Sequence, residues 1–157
     1  MTDVKIILID GLSHIKHTEG GDFRQAVYRA IRQGLMKAKS LLLEPYYSFS
    51  ISVPGSLTGR VLNDIVKHYG RAEAPVQGAN GRTVITGLAP VASFMNYGEE
   101  LMALSGGKGN ISLSFSHYDR CHNEEEVITR YQYDPDGDTA NPSCSVFCQK
   151  GTSFVVN

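Results

Sequence analysis

The sequence predicts an α+β protein built around a βαββαβ unit. Two observations carry this. Between residues 46 and 118, four strand-like stretches and two runs with helical apolar spacing follow one another as strand, helix, strand, strand, helix, strand. Gly-, Asn- and Pro-containing breaks separate them at the points where the chain must turn. A strand-like and then a helix-like segment comes before this unit, and an acidic segment follows it.

The elements can be justified in order. Residues 4–10, VKIILID, are short, apolar and β-branched, which is the pattern of a buried strand. The loop HIKHTEGG (14–21) follows. Asp22 reads as a helix N-cap, with Gln25 three residues on as its capping-box partner. Phe23, Val27, Ala30, Ile31, Leu35, Ala38 and Leu42 then recur at helical spacing, with Arg24, Arg29, Arg32, Lys37 and Lys39 on the opposite face. That basic face is either a solvated surface or one that lies against phosphate. Pro45 cannot continue the helix.

In YYSFSISVP (46–54), Tyr47, Phe49, Ile51 and Val53 alternate with Tyr46, Ser48, Ser50 and Ser52. A helix is predicted over 57–69, capped by Ser56 and stopped by Gly70. RAEAPVQ is a modest strand, GANGR a hairpin turn, and TVITGLAPV the next strand. A helix over about 92–104, with Phe94, Tyr97, Leu101 and Leu104 on one side, is broken by SGGKG. NISLSFSHY closes the unit, with Ile111, Leu113 and Phe115 alternating against serines. The order is that of the ferredoxin-like plan, an antiparallel sheet with both helices on one face. The open face is expected to be rich in serine, with Tyr46 at one end. Residues 122–130 form a short helix candidate, YDPDGDTANP an acidic loop, and SVFCQKGTSFVV two short strands. These strands could pair with residues 4–10. The chain stops within an apolar run, as expected of a piece of a longer protein.

Composition bounds the function. The chain has 157 residues, 41% of them hydrophobic, and a net charge of −1. That length suits one ordinary domain, or a small domain plus a fragment. The charge gives no global case for DNA or a membrane. It is uneven: residues 1–44 hold seven Lys/Arg and five Asp/Glu, residues 120–157 three and six. Three cysteines without a signal peptide point to a reduced, cytoplasmic protein.

Several chemistries fit poorly. Gly106-Gly107-Lys108-Gly109 has neither the spacing nor the following helix of a phosphate-binding loop. DPDGD (134–138) lacks the second half of a calcium loop. His117, Asp119, Cys121, His122, Cys144 and Cys148 invite zinc, yet contain no C-x2-C pair. No signature supports a cysteine nucleophile at Cys121 or Cys148. The central outward positions of the sheet are serines where an RNA-recognition sheet would carry aromatics. Any nucleic-acid contact should therefore come from loops, helix ends and the basic helix.

LLLEPYYSFSISVP, then GRVLNDI, then GLAPVASFMNYGEELMALSGGKGNISLSFSHY, resembles the C-terminal part of elongation factor G and its relatives over about residues 2–120. In that family a Leu-Leu-Glu-Pro segment joins the fourth domain to a ferredoxin-like fifth. The second helix of the fifth domain carries a pattern like Tyr97-x3-Leu101-x2-Leu104-Ser105-x-Gly107-x-Gly109. Asp22-Phe23-Arg24 resembles the tetracycline-resistance ribosomal protection branch. Where that branch carries a Tyr-Ser-Pro-Val type loop, this chain has His14-Ile15-Lys16-His17.

The resemblance implies that residues 1–44 end a fourth domain, 45–120 form the fifth, and 121–157 are an acidic tail with short strands. It implies a cytoplasmic, ribosome-binding module that is not an enzyme by itself. No cofactor is expected in this chain, since GTP and magnesium belong to a missing GTPase domain. The implied ribosomal contacts are His14, Lys16 and His17 at a loop tip, Arg24, Arg29 and Arg32 as phosphate neighbours, and Tyr97 and Lys108 on the fifth domain. An apolar face left by truncation could let the isolated fragment dimerise. The rival reading is a ferredoxin-like regulatory module that binds a small molecule or a metal.

Overall fold

The computed structural model of the protein describes residues 1–16, 18–134, 137–138, 144–149 and 152–156, with 145–149 and 152–156 described by backbone alone. The elements in chain order are α1 (Gly20–Lys37), β1 (Leu43–Pro54), α2 (Thr58–Lys67), β2 (Arg71–Ala72), β3 (Val76–Gln77) and β4 (Arg82–Pro90). They continue as α3 (Val91–Phe94), α4 (Tyr97–Ser105), β5 (Asn110–Arg120), α5 (Glu124–Tyr131), β6 (Ser145–Gln149) and β7 (Thr152–Val156). The chain forms two compact units, residues 41–130 and residues 1–40 with 131–157.

Residues 41–130 have the expected ferredoxin-like architecture. The sheet runs β2-β4-β1-β5, and β3 also pairs with β4. Long β1 is central, antiparallel to β4 on one side and to β5 on the other. The edge strand is split. Pro75 has no N–H for a ladder, so β2 and β3 are two-residue pieces on either side of it. Between them, the Glu73 N–H still donates to the Thr86 carbonyl and Thr86 Oγ1 donates to the Glu73 carboxylate.

Period-two alternation then sorts the two faces. Phe49, Ile51 and Val53 of β1 and Ile85 and Ala89 of β4 meet Val61 and Ile65 of α2, Phe94 of α3, and Tyr97 and Leu101 of α4. The other face carries Ser48, Ser50, Ser112 and Ser114, as the alternation predicts, and Ser48 Oγ lies 2.8 Å from Ser114 Oγ. Tyr46 is on this face but is only 5% exposed, because the chain beyond β5 returns over it. An extra residue in β5 shifts the register between the pairs Tyr46–His117 and Tyr47–Phe115.

Several local expectations need correcting. Residues 4–10 are not a strand. Ile6 to Ile9 are 62–95% exposed, and β6 and β7 pair with each other rather than with them. An apolar pattern alone does not satisfy backbone N–H and C=O groups; a strand needs a neighbour. The first helix starts at Gly20, with Glu19 as its cap, and the Glu19 N–H donates to Asp22 Oδ2. Asp22 is thus the third residue of the helix and the reciprocal half of the capping box. At the end of α2 it is Tyr69, with φ of 58°, that takes the left-handed conformation. Gly70 is required by space instead: a Cβ there would lie 2.8 Å from Ile65 Cγ2 and 3.2 Å from Ala89 Cβ.

The second predicted helix is two helices with a break at Met95 and Asn96. SGGKG stops it by a clear mechanism. Gly106 and Gly107 have φ of 58° and 79°, and the Gly107 N–H donates to the Met102 carbonyl. Gly109 packs against the helix it follows, its N–H donating to Ser105 Oγ at 2.7 Å.

Candidate functional site

The loop before α1 is built by short-range bonds. The His14 N–H donates to Thr18 Oγ1 at 2.8 Å, and the Thr18 N–H donates back to the His14 carbonyl at 3.0 Å. The Lys16 N–H reaches His14 Nδ1 at 3.3 Å. This closes a turn that holds Ile15 fully exposed and His14 and Lys16 at the surface. His17 lies outside the described residues. Arg24, one turn into α1, is exposed.

The other contact candidates divide. A bare helix N-terminus beside Arg24 would attract an anion, but the Asp22 carboxylate already sits in that first turn. Arg32 pairs with Asp138 at 3.0 Å and donates to the Tyr133 hydroxyl at 3.3 Å, so the acidic loop supplies its anion. Arg29 is half-buried, with its Nε enclosed.

Tyr97 is a correction. It is 1% exposed, stacks on Phe94 with ring centroids 4.8 Å apart, and is a core residue unable to touch a partner. Its helical spacing, on the apolar side with Phe94 and Leu101, prevails over the implied surface contact. Burial pushes its hydroxyl up to about 12, with the Asp64 and Glu100 charges adding to the shift. Lys108 is exposed, and its carbonyl accepts from Arg82. His68 is half-buried against Phe94 and Tyr97, with Nδ1 2.9 Å from the Asp64 carbonyl oxygen and Nε2 3.4 Å from Glu100 Oε1.

The second place of interest is the end of the open sheet face. Here an open cleft of about 890 Å³ is lined by Tyr46, Tyr69, Arg71 and residues 120–126. Glu44, at the start of β1, is 8% exposed. Its Oε1 accepts the His122 N–H at 2.7 Å and lies 2.6 Å from His122 Nδ1. The Tyr69 ring covers the imidazole at 4.3 Å between centroids. The Cys121 N–H donates to the Leu42 carbonyl, and Sγ lies 3.3 Å from Asn123 Oδ1. The Leu42 N–H donates to Glu124, whose other oxygen takes both Arg120 nitrogens. Those bonds, the backbone one first, hold the Glu124 carboxyl below its ordinary range. Burial raises the Tyr46 hydroxyl, helped by the Glu44 charge.

Of the six Cys/His/Asp residues considered for zinc, the structure brings together Cys121 and His122. His117 instead stacks on Tyr46 and bonds Ser116. The Cys148 side chain lies outside the described residues. Sequence reasoning missed Glu44. Only its place in Leu-Leu-Glu-Pro marked it, and nothing local says that it faces Cys121.

A split-edge ferredoxin-like unit with a Gly-stopped second helix, preceded by a loop that opens a helix, defines the class as an α+β, ferredoxin-like module. The family models agree. "Elongation factor G C-terminus" matches residues 41–128 and "Elongation factor G, domain IV" matches residues 1–39. The chain belongs to the elongation factor G family, of which it carries domain IV and C-terminal sequence. It is 33% identical over 122 residues to "Elongation factor G 1" of Syntrophomonas wolfei subsp. wolfei, covering 78% of this chain and 18% of that protein. A crystal structure of a protein from Thermus thermophilus matches with a TM-score of 0.53 and 31% identity, over 60% of this chain and 14% of that one. The chain thus spans less than a fifth of the length of either. Among the described residues, no helix is long and apolar enough to cross a membrane.

Proposed function

We propose that this chain is the ribosome-contacting C-terminal portion of a translational GTPase, and that it touches ribosomal RNA and protein through the loop around His14 and Lys16. The observation that carries the reading is that loop: a bonded turn that presents an imidazole and an ammonium at the surface, ahead of a helix bearing exposed Arg24. Lys16 and Arg24 suit phosphate, and His14 can bond or stack on a base. Membership of the elongation factor G family supports the partner. Within the family, Asp22-Phe23-Arg24 favours a relative of the ribosomal protection branch, while the HIKH loop favours a contact chemistry different from a Tyr-Ser-Pro-Val tip. The chain binds and the parent's GTPase domain, with GTP and magnesium, does the hydrolysis.

Co-sedimentation of the full-length parent with ribosomes and a GTP analogue tests this, comparing wild type with His14→Ala/Lys16→Ala at two salt concentrations. Phosphate contacts weaken as salt rises. Salt-sensitive binding that the double change weakens is the expected result. No binding by the wild type sinks the reading. Binding indifferent to the double change removes the loop from it.

A further inference from the structure

The geometry points to a divalent-cation site at Glu44, Cys121 and His122, a zinc-type centre that ties the start of β1 to the end of β5. It is independent of the ribosomal reading. One ligand atom from each residue lies within 4.8 Å of the others, and this is the group with metal-ligand spacing among the described residues. Around a tetrahedral zinc with bonds of about 2.0–2.3 Å, ligand atoms stand roughly 3.3–3.8 Å apart. Glu44 and His122 stand 2.6 Å apart and all three ligand atoms lie within 4.8 Å of one another, close enough for small shifts to reach that range. The Glu44–His122 contact must open by about 1 Å, a metal ion taking the place of the shared proton.

Three features favour this arrangement over accident. First, adjacent residues in a strand point to opposite faces, yet Cys121 and His122 share one site. They do so because β5 ends at Arg120 and the chain turns at 122–123. Second, the cluster is protected: Cys121 and Glu44 are 8% exposed and the His122 side chain 12%. Third, thiolate, carboxylate and neutral imidazole are the donor types of zinc sites, and their summed charge matches a dication. His122 would ligate through Nδ1, with the Tyr69 ring fixing the imidazole plane. The fourth position falls to Asn123 Oδ1 or to water from the cleft.

Cobalt(II) substitution tests the proposal on the reduced, chelator-treated full chain. One equivalent should bind and give a near-ultraviolet thiolate-to-cobalt band with visible bands of four-coordinate intensity, all displaced by zinc. Cys144→Ser should leave the band unchanged and Cys121→Ser should abolish it. Loss of an outer-shell partner costs about 10–100-fold in metal affinity, so losing a ligand in Glu44→Gln or His122→Gln should weaken binding by at least about 100-fold. Circular dichroism of each metal-free variant checks folding. If Cys121→Ser is unfolded, His122→Gln, whose ring borders the cleft, carries the test. A wild type without the thiolate band, a band that survives Cys121→Ser, or affinity unchanged in both Glu44→Gln and His122→Gln overturns the site.

Discussion

Two chemically identical substitutions in the 41–130 unit should differ sharply in their effect on stability. Gly87 is in the middle of β4, opposite Phe49 of β1 and Ala72 of the edge piece β2. A Cβ at position 87 would lie 2.2 Å from the Arg71 carbonyl oxygen, 2.6 Å from Phe49 Cζ and 3.0 Å from Ala72 Cα. Unstrained carbon contacts sit at about 3.5–4.0 Å, so β2 must retreat by about 1 Å and the Phe49 ring must turn. Neither is easy. Phe49 packs on Phe94 at 5.1 Å, and β2 holds the sheet through two register pairs that a retreat would break. Overpacking of this kind costs about 1–3 kcal/mol, and backbone as the obstacle argues for the upper half of that range. At about 4–8 °C per kcal/mol for a unit of this size, Gly87→Ala should lower Tm by roughly 8–24 °C. Gly59 has nothing within 4 Å of its would-be Cβ and lies in the first turn of α2. Gly59→Ala should leave stability unchanged or raise it by up to about 0.5 kcal/mol, since alanine restricts the unfolded chain. Differential scanning calorimetry reads both. A Gly87→Ala protein that melts with the wild type refutes the close approach of β2 to β4 on which the estimate rests.

Other outcomes follow from the same geometry. Phe94→Ala removes a fully buried ring stacked between Phe49 and Tyr97 and should cost about 3–5 kcal/mol, read by urea unfolding. The Tyr97 hydroxyl is buried with no hydrogen-bond partner among the described residues, so Tyr97→Phe should be neutral or stabilising by about 1 kcal/mol. With the Tyr97 hydroxyl raised from 10.0 to about 12, the unfolded chain loses that proton first. Stability should therefore fall as pH rises from 10 to about 12, and Tyr97→Phe should flatten that slope in urea titrations. Glu124 has the opposite sign. Its lowered carboxyl stabilises the fold above 4.5, and that contribution is lost as pH falls below it. The stability difference between wild type and Glu124→Gln should shrink on acidification.

The sheet of residues 41–130 was legible because its physics is local. Alternation placed Phe49, Ile51 and Val53 inside and Ser48, Ser50, Ser112 and Ser114 outside, and the pleat enforces that choice residue by residue. SGGKG announced a helix end because left-handed φ at 106 and 107 and the close approach at 109 each call for glycine. The failures arise where a partner decides. VKIILID has the composition of a strand, but composition cannot supply the ladder, and among the described residues it remains exposed. Tyr97 was legible as core from its spacing, and the family pattern that set it on a surface carried no information about which way its ring points.

The Glu44 cluster shows why candidate sites are harder to read than folds. Glu44 and His122 are separated by the whole βαββαβ unit, and no periodicity links them. What joins them is register: β1 and β5 pair so that Glu44 stands opposite Asp119, which puts the chain emerging from β5 beside its carboxylate. The backbone bond from Cys121 to Leu42 and the bond from Leu42 to Glu124 then fix the returning chain on both sides of that point. A one-residue slip of β5 would turn its apolar side chains to the serine face, so the hydrophobic core also sets the address of the polar cluster. The donor set at 44, 121 and 122 is thus a consequence of the core built by Phe49, Ile51 and Ile85. It follows that a repacked core should loosen the cluster even where no ligand residue is touched. In Phe49→Leu, the His122 ring protons should lose the shifts that Tyr69 imposes on them in proton NMR. Unchanged shifts would show that the cluster is held by its own local bonds alone.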